Sequence, residues 1–198
     1  TAILADSNGT VEVKTGDGQW TLAHSGQELI SGQQIRTGAL SNVMLVFYDG
    51  SRAYLGADSE IAVDTLDASD SGARLVQLTQ ASGKSQHEVT VTDDSGSQYL
   101  VNTPAGNGSA TGTLFTVMVL PGQLSQFWTE AGEVSVNNEN ATVEVIAGQT
   151  TIVPVGQPPT EPAFRITGEA KVMQAGTVGG EGVTLPESAP RAMVNQSH

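Results

Sequence analysis

The 198-residue chain sets 21 Asp and Glu against eight Lys and Arg, a net charge of −13, and contains no cysteine. That balance disfavours nucleic acid and anionic lipid as partners, because both need clustered cations. The missing thiols exclude disulfides, thiolate nucleophiles and zinc–thiolate centres.

Hydrophobic residues make 38% and charged residues 15%, so one sizeable core is within reach, or one domain plus an appendage. The longest apolar run, around Leu114 to Leu120, is far too short to span a bilayer, and no membrane insertion is expected. No charged-then-apolar signal opens the chain, and Thr1 to Leu4 reads as a mature end left after signal cleavage.

Short strands follow one another with turns between them. Val11 and Val13 share a face, and Asp17-Gly18 is a hairpin signal between Val13 and Trp20. Ser31-Gly32 and Thr37-Gly38 bracket a strand at Ile35. Val43 to Tyr48 is nearly continuous apolar, as for a strand buried on both faces. Asp49-Gly50 turns it back into Ala53-Tyr54-Leu55. Ile61, Val63 and Leu66 come next, then Leu75 to Leu78 and Val89 to Val91, separated at Ser82-Gly83.

Tyr99 to Thr103 alternates and should stop at Pro104, which cannot donate to a ladder. A small-residue loop from Gly106 to Gly112 leads to a strand carrying Phe115, Val117 and Val119. Phe127-Trp128, Val134 to Val136, Val143 to Val145 and Thr151 to Val153 close the series. No apolar 3.6-residue period persists beyond two turns. The fold class expected is all-β: an antiparallel sandwich, jelly roll or related wound β domain.

The order Val101-Asn102-Thr103-Pro104-Ala105-Gly106, then Gly112-Thr113-Leu114-Phe115-Thr116-Val117-Met118-Val119, resembles the core signature of FecR-like domains. Upstream matches are Gly9 to Val13, Trp20, Gly26 with Leu29, Gly32, Ile35 to Gly38 and Val43 to Ser51. Glu130 to Val136 and Ala147-Gly148-Gln149 continue it. The resemblance spans about Ala2 to Val155. It implies a domain lying outside the inner membrane. The membrane helix and cytoplasmic anti-sigma segment of iron-signalling relatives have no counterpart in these residues.

Composition changes at Pro154. The β domain is expected over 1–157, with a Pro-rich linker and C-terminal β extension over 158–198. Pro154, Pro158, Pro159 and Pro162 suit a stiff spacer of roughly 25–30 Å. Beyond it Phe164 and Ile166 alternate, and Val172 marks another short strand.

Candidate chemistry is sparse. His24, His87 and His198 are far apart in sequence, and a surface or turn role is expected for each. Asp64, Asp67 and Asp70 are spaced by three rather than the two of a calcium loop, so a solvated acidic loop is expected. Gly106 to Gly112 lacks the lysine and helix of a phosphate loop. Glu130 and Glu133 form an acidic pair of a kind common in so negative a chain. Trp20, Trp128, Phe47 and Phe115 read as core residues ahead of a sugar-stacking platform. Asn8, Asn107, Asn140 and Asn195 open Asn-x-Ser/Thr sequons and are candidate glycosylation sites.

No catalytic, cofactor-binding or metal site is expected, and no enzyme. The function expected is a non-catalytic extracellular or cell-envelope domain acting in protein–protein assembly, as a filament or surface-layer subunit. Phe164, Ile166 and Val172 would then be donated to a neighbouring sheet edge. Partners would be copies of the chain or other envelope proteins, and the location extracellular, cell-surface or periplasmic. A FecR-type signalling domain is the alternative, and a carbohydrate-binding module the third reading.

Overall fold

The computed structural model describes residues 1–68, 72–91 and 96–165. Among them every regular element is a strand. In chain order these are β1 (Ala2–Asn8), β2 (Val11–Thr15), β3 (Thr21–Leu22), β4 (Glu28–Leu29), β5 (Gln33–Thr37), β6 (Asn42–Phe47), β7 (Arg52–Leu55) and β8 (Glu60–Ala68). Then follow β9 (Arg74–Glu88), β10 (Gln98–Asn102), β11 (Asn107–Ala110), β12 (Leu114–Val119), β13 (Ser125–Ala131), β14 (Glu133–Asn137), β15 (Thr142–Ile146), β16 (Gln149–Val153) and β17 (Ala163–Phe164).

They form two layers. The front sheet runs β4-β1-β6-β7-β9-β12-β13-β16-β17. The back sheet runs β3-β2-β5-β8-β9-β10-β11-β14-β15. β9 is central in both, so hydrogen bonding is continuous through all 17 strands. Every pairing is antiparallel except β9 with β10. The similar stretches Gly9 to Val13 and Gly132 to Val136 lead into β2 and β14, which lie one strand in from opposite edges of the back sheet.

The chain changes layers inside β9, where a strand break is expected at Ser82-Gly83. Before it, Leu75 to Ser82 pair with β8 and β10; after it, Gly83 to Glu88 pair with β7 and β12. Gly83 has φ +79°, and a Cβ there would lie 2.3 Å from Ser59 Oγ and 2.7 Å from the Asp58 carbonyl. Only glycine fits so tight a left-handed crossing. Ser59 spans it, accepting from Lys84 N–H at 3.0 Å and donating to the Lys84 carbonyl at 3.1 Å.

Both layers contribute alternate residues to one core. Val11, Leu45, Phe47, Val101, Phe115, Val117 and Val134 are all buried there. The Phe47 ring of the front sheet meets Tyr99 of the back sheet edge-on at 5.8 Å. Gly108 in β11 lets the back sheet approach Phe127 of the front, since a Cβ would sit 2.8 Å from that ring. A fully buried Leu or Phe is worth roughly 1.5–3 kcal/mol, so this shared layer carries the fold.

Four local readings change. β6 buries Val43, Leu45 and Phe47 but only half-buries Met44 and Val46, because its other face is the exterior of the front sheet. Asn107–Ala110 is a strand, not a loop, held between β10 and β14. Val89 makes one backbone bond, to the Thr113 carbonyl at 2.8 Å, and lies just beyond β9. Ala2–Asn8, for which no strand is expected from the residues, pairs with β4 and β6 and buries Ala2 and Leu4 completely.

A compact unit extends from Thr1 to Arg165. Within it the prolines after Val153 do not act as a spacer. The chain turns at Pro154 (Gln157 N–H to the Pro154 carbonyl, 3.2 Å) and buries Pro159. Thr160 then returns alongside β16, donating its N–H to the Ile152 carbonyl at 2.9 Å and accepting from Ile152 N–H through its hydroxyl at 3.0 Å. A proline-rich cover of this kind blunts a sheet edge.

Candidate functional site

Three places gather chemistry-bearing side chains. The first is a polar chain inside the core. Alternation along β9 points Gln80, Ser85 and His87 inward, and all three are fully buried. His87 Nδ1 lies 2.8 Å from the Tyr99 hydroxyl, and Nε2 lies 2.6 Å from Ser85 Oγ. Ser85 Oγ donates to Gln80 Oε1 at 2.5 Å, and Gln80 Nε2 donates to the Gly83 carbonyl at 2.8 Å. One assignment satisfies every member: Tyr99 O–H donates to Nδ1, and a neutral imidazole protonated at Nε2 donates to Ser85.

Burial lowers the His87 pKa to about 3, and it pushes the Tyr99 phenol well above 10, with the Asp49 carboxylate adding to that rise. The ring also stacks on Phe115 at 4.9 Å. Ser85, His87 and Tyr99 resemble a nucleophile with its base, but the chain is sealed between the sheets. Its role is to satisfy polar groups that the β9 crossing carries into the core. His87 is therefore not the surface or turn residue expected; its period-two spacing with Ser85 and Val89 was the signal of burial.

The second place is the sheet exteriors, where the two tryptophans lie. Neither is a member of the shared core. Trp20 is half-buried with Lys14 Nζ 4.7 Å and the Arg36 guanidinium 4.3 Å from its ring. Trp128 is only 6% exposed, although it projects from the outer face of β13. Lys84 Nζ at 5.0 Å and the Arg165 guanidinium at 4.4 Å cover it. Glu130 Oε1 accepts from Trp128 Nε1 at 2.7 Å, Thr116 Oγ1 at 3.0 Å and Gln86 Nε2 at 3.3 Å. A carboxylate so engaged is structural, and Glu133 begins a strand of the other sheet.

The third place is the loop cluster around the β9 crossing. It joins the turns β1–β2, β5–β6 and β7–β8 through Thr10 N–H to Ser41 Oγ (2.9 Å), Gly38 N–H to the Thr10 carbonyl (2.9 Å) and Asp58 N–H to the Gly38 carbonyl (3.3 Å). A hollow of about 430 Å³ beside it is lined by Asp58, Ala81, Ser82, Gly83 and the β12–β13 turn from Val119 to Gln123. Leu40 (φ +57°), Asp58 (φ +53°) and Gln123 (φ +62°), the non-glycine residues of positive φ in the described chain, all belong to this cluster. Such a conformation costs on the order of 1–3 kcal/mol per residue. Leu40 is 93% exposed, so packing does not compensate it.

The other expected positions scatter. Phe164, expected at a neighbour's sheet edge, pairs within its own chain: β17 lies against β16, Phe164 opposite Gln149, and Arg165 N–H donates to the Gly148 carbonyl at 2.9 Å. Ile166 and Val172, the rest of that assembly element, lie outside the described residues, as do Asp70, Asn195 and His198. Asn8 is exposed at the end of β1 and Asn140 in the turn after β14, whereas Asn107 is half-buried at the start of β11. Asp64 accepts from Thr79 Oγ1 at 2.7 Å, and the Asp67 carbonyl accepts from the Tyr48 hydroxyl. His24 is exposed, its Nδ1 3.2 Å from the Ser25 carbonyl. Among the described residues no group of three or more His, Asp and Glu could hold a metal ion.

A family model described as "FecR protein" matches residues 33–149, from β5 into β16. Two crystal structures of a candidate anti-sigma factor from Parabacteroides distasonis ATCC 8503, at 1.65 and 2.50 Å resolution, share the fold. Each superposes with a TM-score of 0.54 at 20% identity, over 66% of this chain and 59% of the other. The chain thus spans less than two thirds of the length of those neighbours. No curated protein matches it. These findings overturn the expectation of a filament or surface-layer subunit joined by strand exchange, and they favour the signalling alternative.

Proposed function

The chain belongs to the FecR protein family, matched over more than half its length, and from that premise we propose that it is a regulatory domain of the cell envelope. It works on the periplasmic side of the cytoplasmic membrane, by binding another envelope protein rather than by catalysis. The family match carries this reading. The fold neighbours support it, because they are candidate anti-sigma factors built on the same β architecture. The sealed Ser85–His87–Tyr99 chain favours a non-catalytic role, since no substrate atom can approach its buried hydroxyls.

The test is the transcript profile of source cells lacking the gene, beside cells that secrete the isolated domain into the envelope. A confined set of co-regulated transcripts should change in at least one strain. Unchanged profiles in both would refute the regulatory reading.

A further inference from the structure

We propose that the loop cluster at the β9 crossing is the surface on which a partner protein docks, with Leu40 as its apolar anchor and Asp58 as its charged contact. The occupant is a distinct envelope protein whose contact surface is apolar and carries a lysine or arginine. The inference deepens the proposed regulatory role and rests on it.

The cluster is built in an unusual way for turns. Among the described residues most positive-φ positions are glycines, which adopt that conformation freely. At Leu40, Asp58 and Gln123 the same conformation is imposed on residues with side chains; Asp58 and Gln123 line one hollow, and Leu40 lies in the turn whose Gly38 carbonyl accepts the Asp58 N–H. Leu40 gains nothing from the fold in return, as its side chain stands in solvent. A leucine held in a disfavoured conformation and left in water is accounted for by a contact made outside the chain.

Asp58 is held just as firmly. Its N–H donates to the Gly38 carbonyl at 3.3 Å, and its carbonyl accepts from Ser82 Oγ at 3.3 Å. Its carboxylate is exposed and has no hydrogen-bond or ion-pair partner among the described residues.

Composition and charge identify the occupant. Asp58 is the single charged residue across Asn8 to Thr10, Gly38 to Ser41, Gly56 to Ser59, Ala81 to Gly83 and Leu120 to Leu124. In a chain of net charge −13, such a neutral zone with exposed Leu40, Leu120 and Pro121 has the make-up of an interface centre, which is depleted in charge. The acidic body around it repels acidic partners and attracts basic ones. The open hollow beside Asp58 and Leu120 leaves room for an incoming apolar side chain.

The experiment places the photo-crosslinker p-benzoylphenylalanine at position 40 or 123 of the full chain in source cells. Leu22, which is 73% exposed on the edge strand β3, serves as the control position. Positions 40 and 123 should yield one and the same adduct, absent at position 22 and reduced at least tenfold by Asp58→Lys. Mass spectrometry should place the link on an apolar stretch of another protein next to Lys or Arg. No adduct, the same adduct at all three positions, an adduct of twice the 20.4 kDa chain mass, or indifference to Asp58→Lys would overturn the proposal.

Purified Leu40→Gly supplies the complementary measurement. Its melting temperature should equal or exceed that of the parent, because strain is relieved and no packing is lost. A lower melting temperature would show that Leu40 serves the fold and would equally overturn the proposal. If gene loss changes transcripts while cells carrying Leu40→Gly keep the parent's transcript profile, the surface is wrong and the regulatory role stands. If transcripts never respond, the regulatory role fails, and the adducts still report on the surface.

Discussion

Acidification should unfold this protein through His87. The imidazole is fully buried and neutral, its pKa lowered from 6.5 to about 3 by loss of solvation. In the unfolded chain the same group takes up a proton near pH 6.5; in the folded chain it does so only near pH 3. Between those values the unfolded state binds more protons, so stability rises with pH. The contribution is complete above pH 6.5 and is lost as pH falls towards 3. The interval corresponds to about 1.4 kcal/mol per pH unit, about 5 kcal/mol in total. That is comparable to the whole stability of many domains. Urea unfolding at half-unit steps from pH 7 to 3.5 measures it, with His87→Gln as the non-titrating reference. Subtracting the variant removes the background of 21 carboxylates. The parent should lose stability relative to the variant along that slope. Nitrogen NMR of the parent should show a neutral imidazole, protonated at Nε2, down to pH 4. Parallel pH profiles, or an imidazole titrating near 6.5, would refute the argument.

Glycine replacements should rank by geometry in thermal melts. Gly50→Ala (φ +85°, nearest contact 3.4 Å) should cost about 1 kcal/mol, and Gly112→Ala (φ +65°, 2.6 Å from Val91 Cγ2) about the same or more. Gly108→Ala, facing the Phe127 ring at 2.8 Å, should cost about 1–3 kcal/mol by overpacking; equal melting temperatures for all three would contradict this ranking. Removing either cation over Trp128, by Lys84→Ala or Arg165→Ala, should cost about 0.5–1 kcal/mol and redshift its fluorescence as water reaches the indole; unchanged emission would show that the cations do not cover it. Truncation after Arg165 should leave the melting temperature of the two sheets unaltered, because the core formed by the described residues lies within Ala2 to Val153. Truncation after Val153 should lower it and promote association by uncovering β16; equal behaviour of the two truncations would refute the covering role of Thr160 and Pro159.

Strands and turns were legible from the residues alone because their causes are local. Period-two alternation at Val11, Phe115 and Val134 marks one buried face, and Asp17-Gly18 and Asp49-Gly50 mark hairpins whatever lies across the sheet. The family signature from Val101 to Val119 belongs to the same level, since it is an order of such local features. Three other properties come from pairings between residues distant in sequence. Leu75 to Leu78 and Lys84 to Glu88 form one strand only because Ser59 bridges the crossing at Gly83. His87 is a core residue only because β10 brings Tyr99 against it, and alternation cannot say that a polar residue will find its partners. Phe164 looked surplus because the prolines before it read as a spacer; they instead turn the chain so that its strand returns to β16, the strand just before it. The placing of the Leu40 turn against Asp58, and of Asp58 beside Gln123, is of this kind too. Each lies in an ordinary-looking turn, and a backbone angle and its neighbours exist only once both layers are closed.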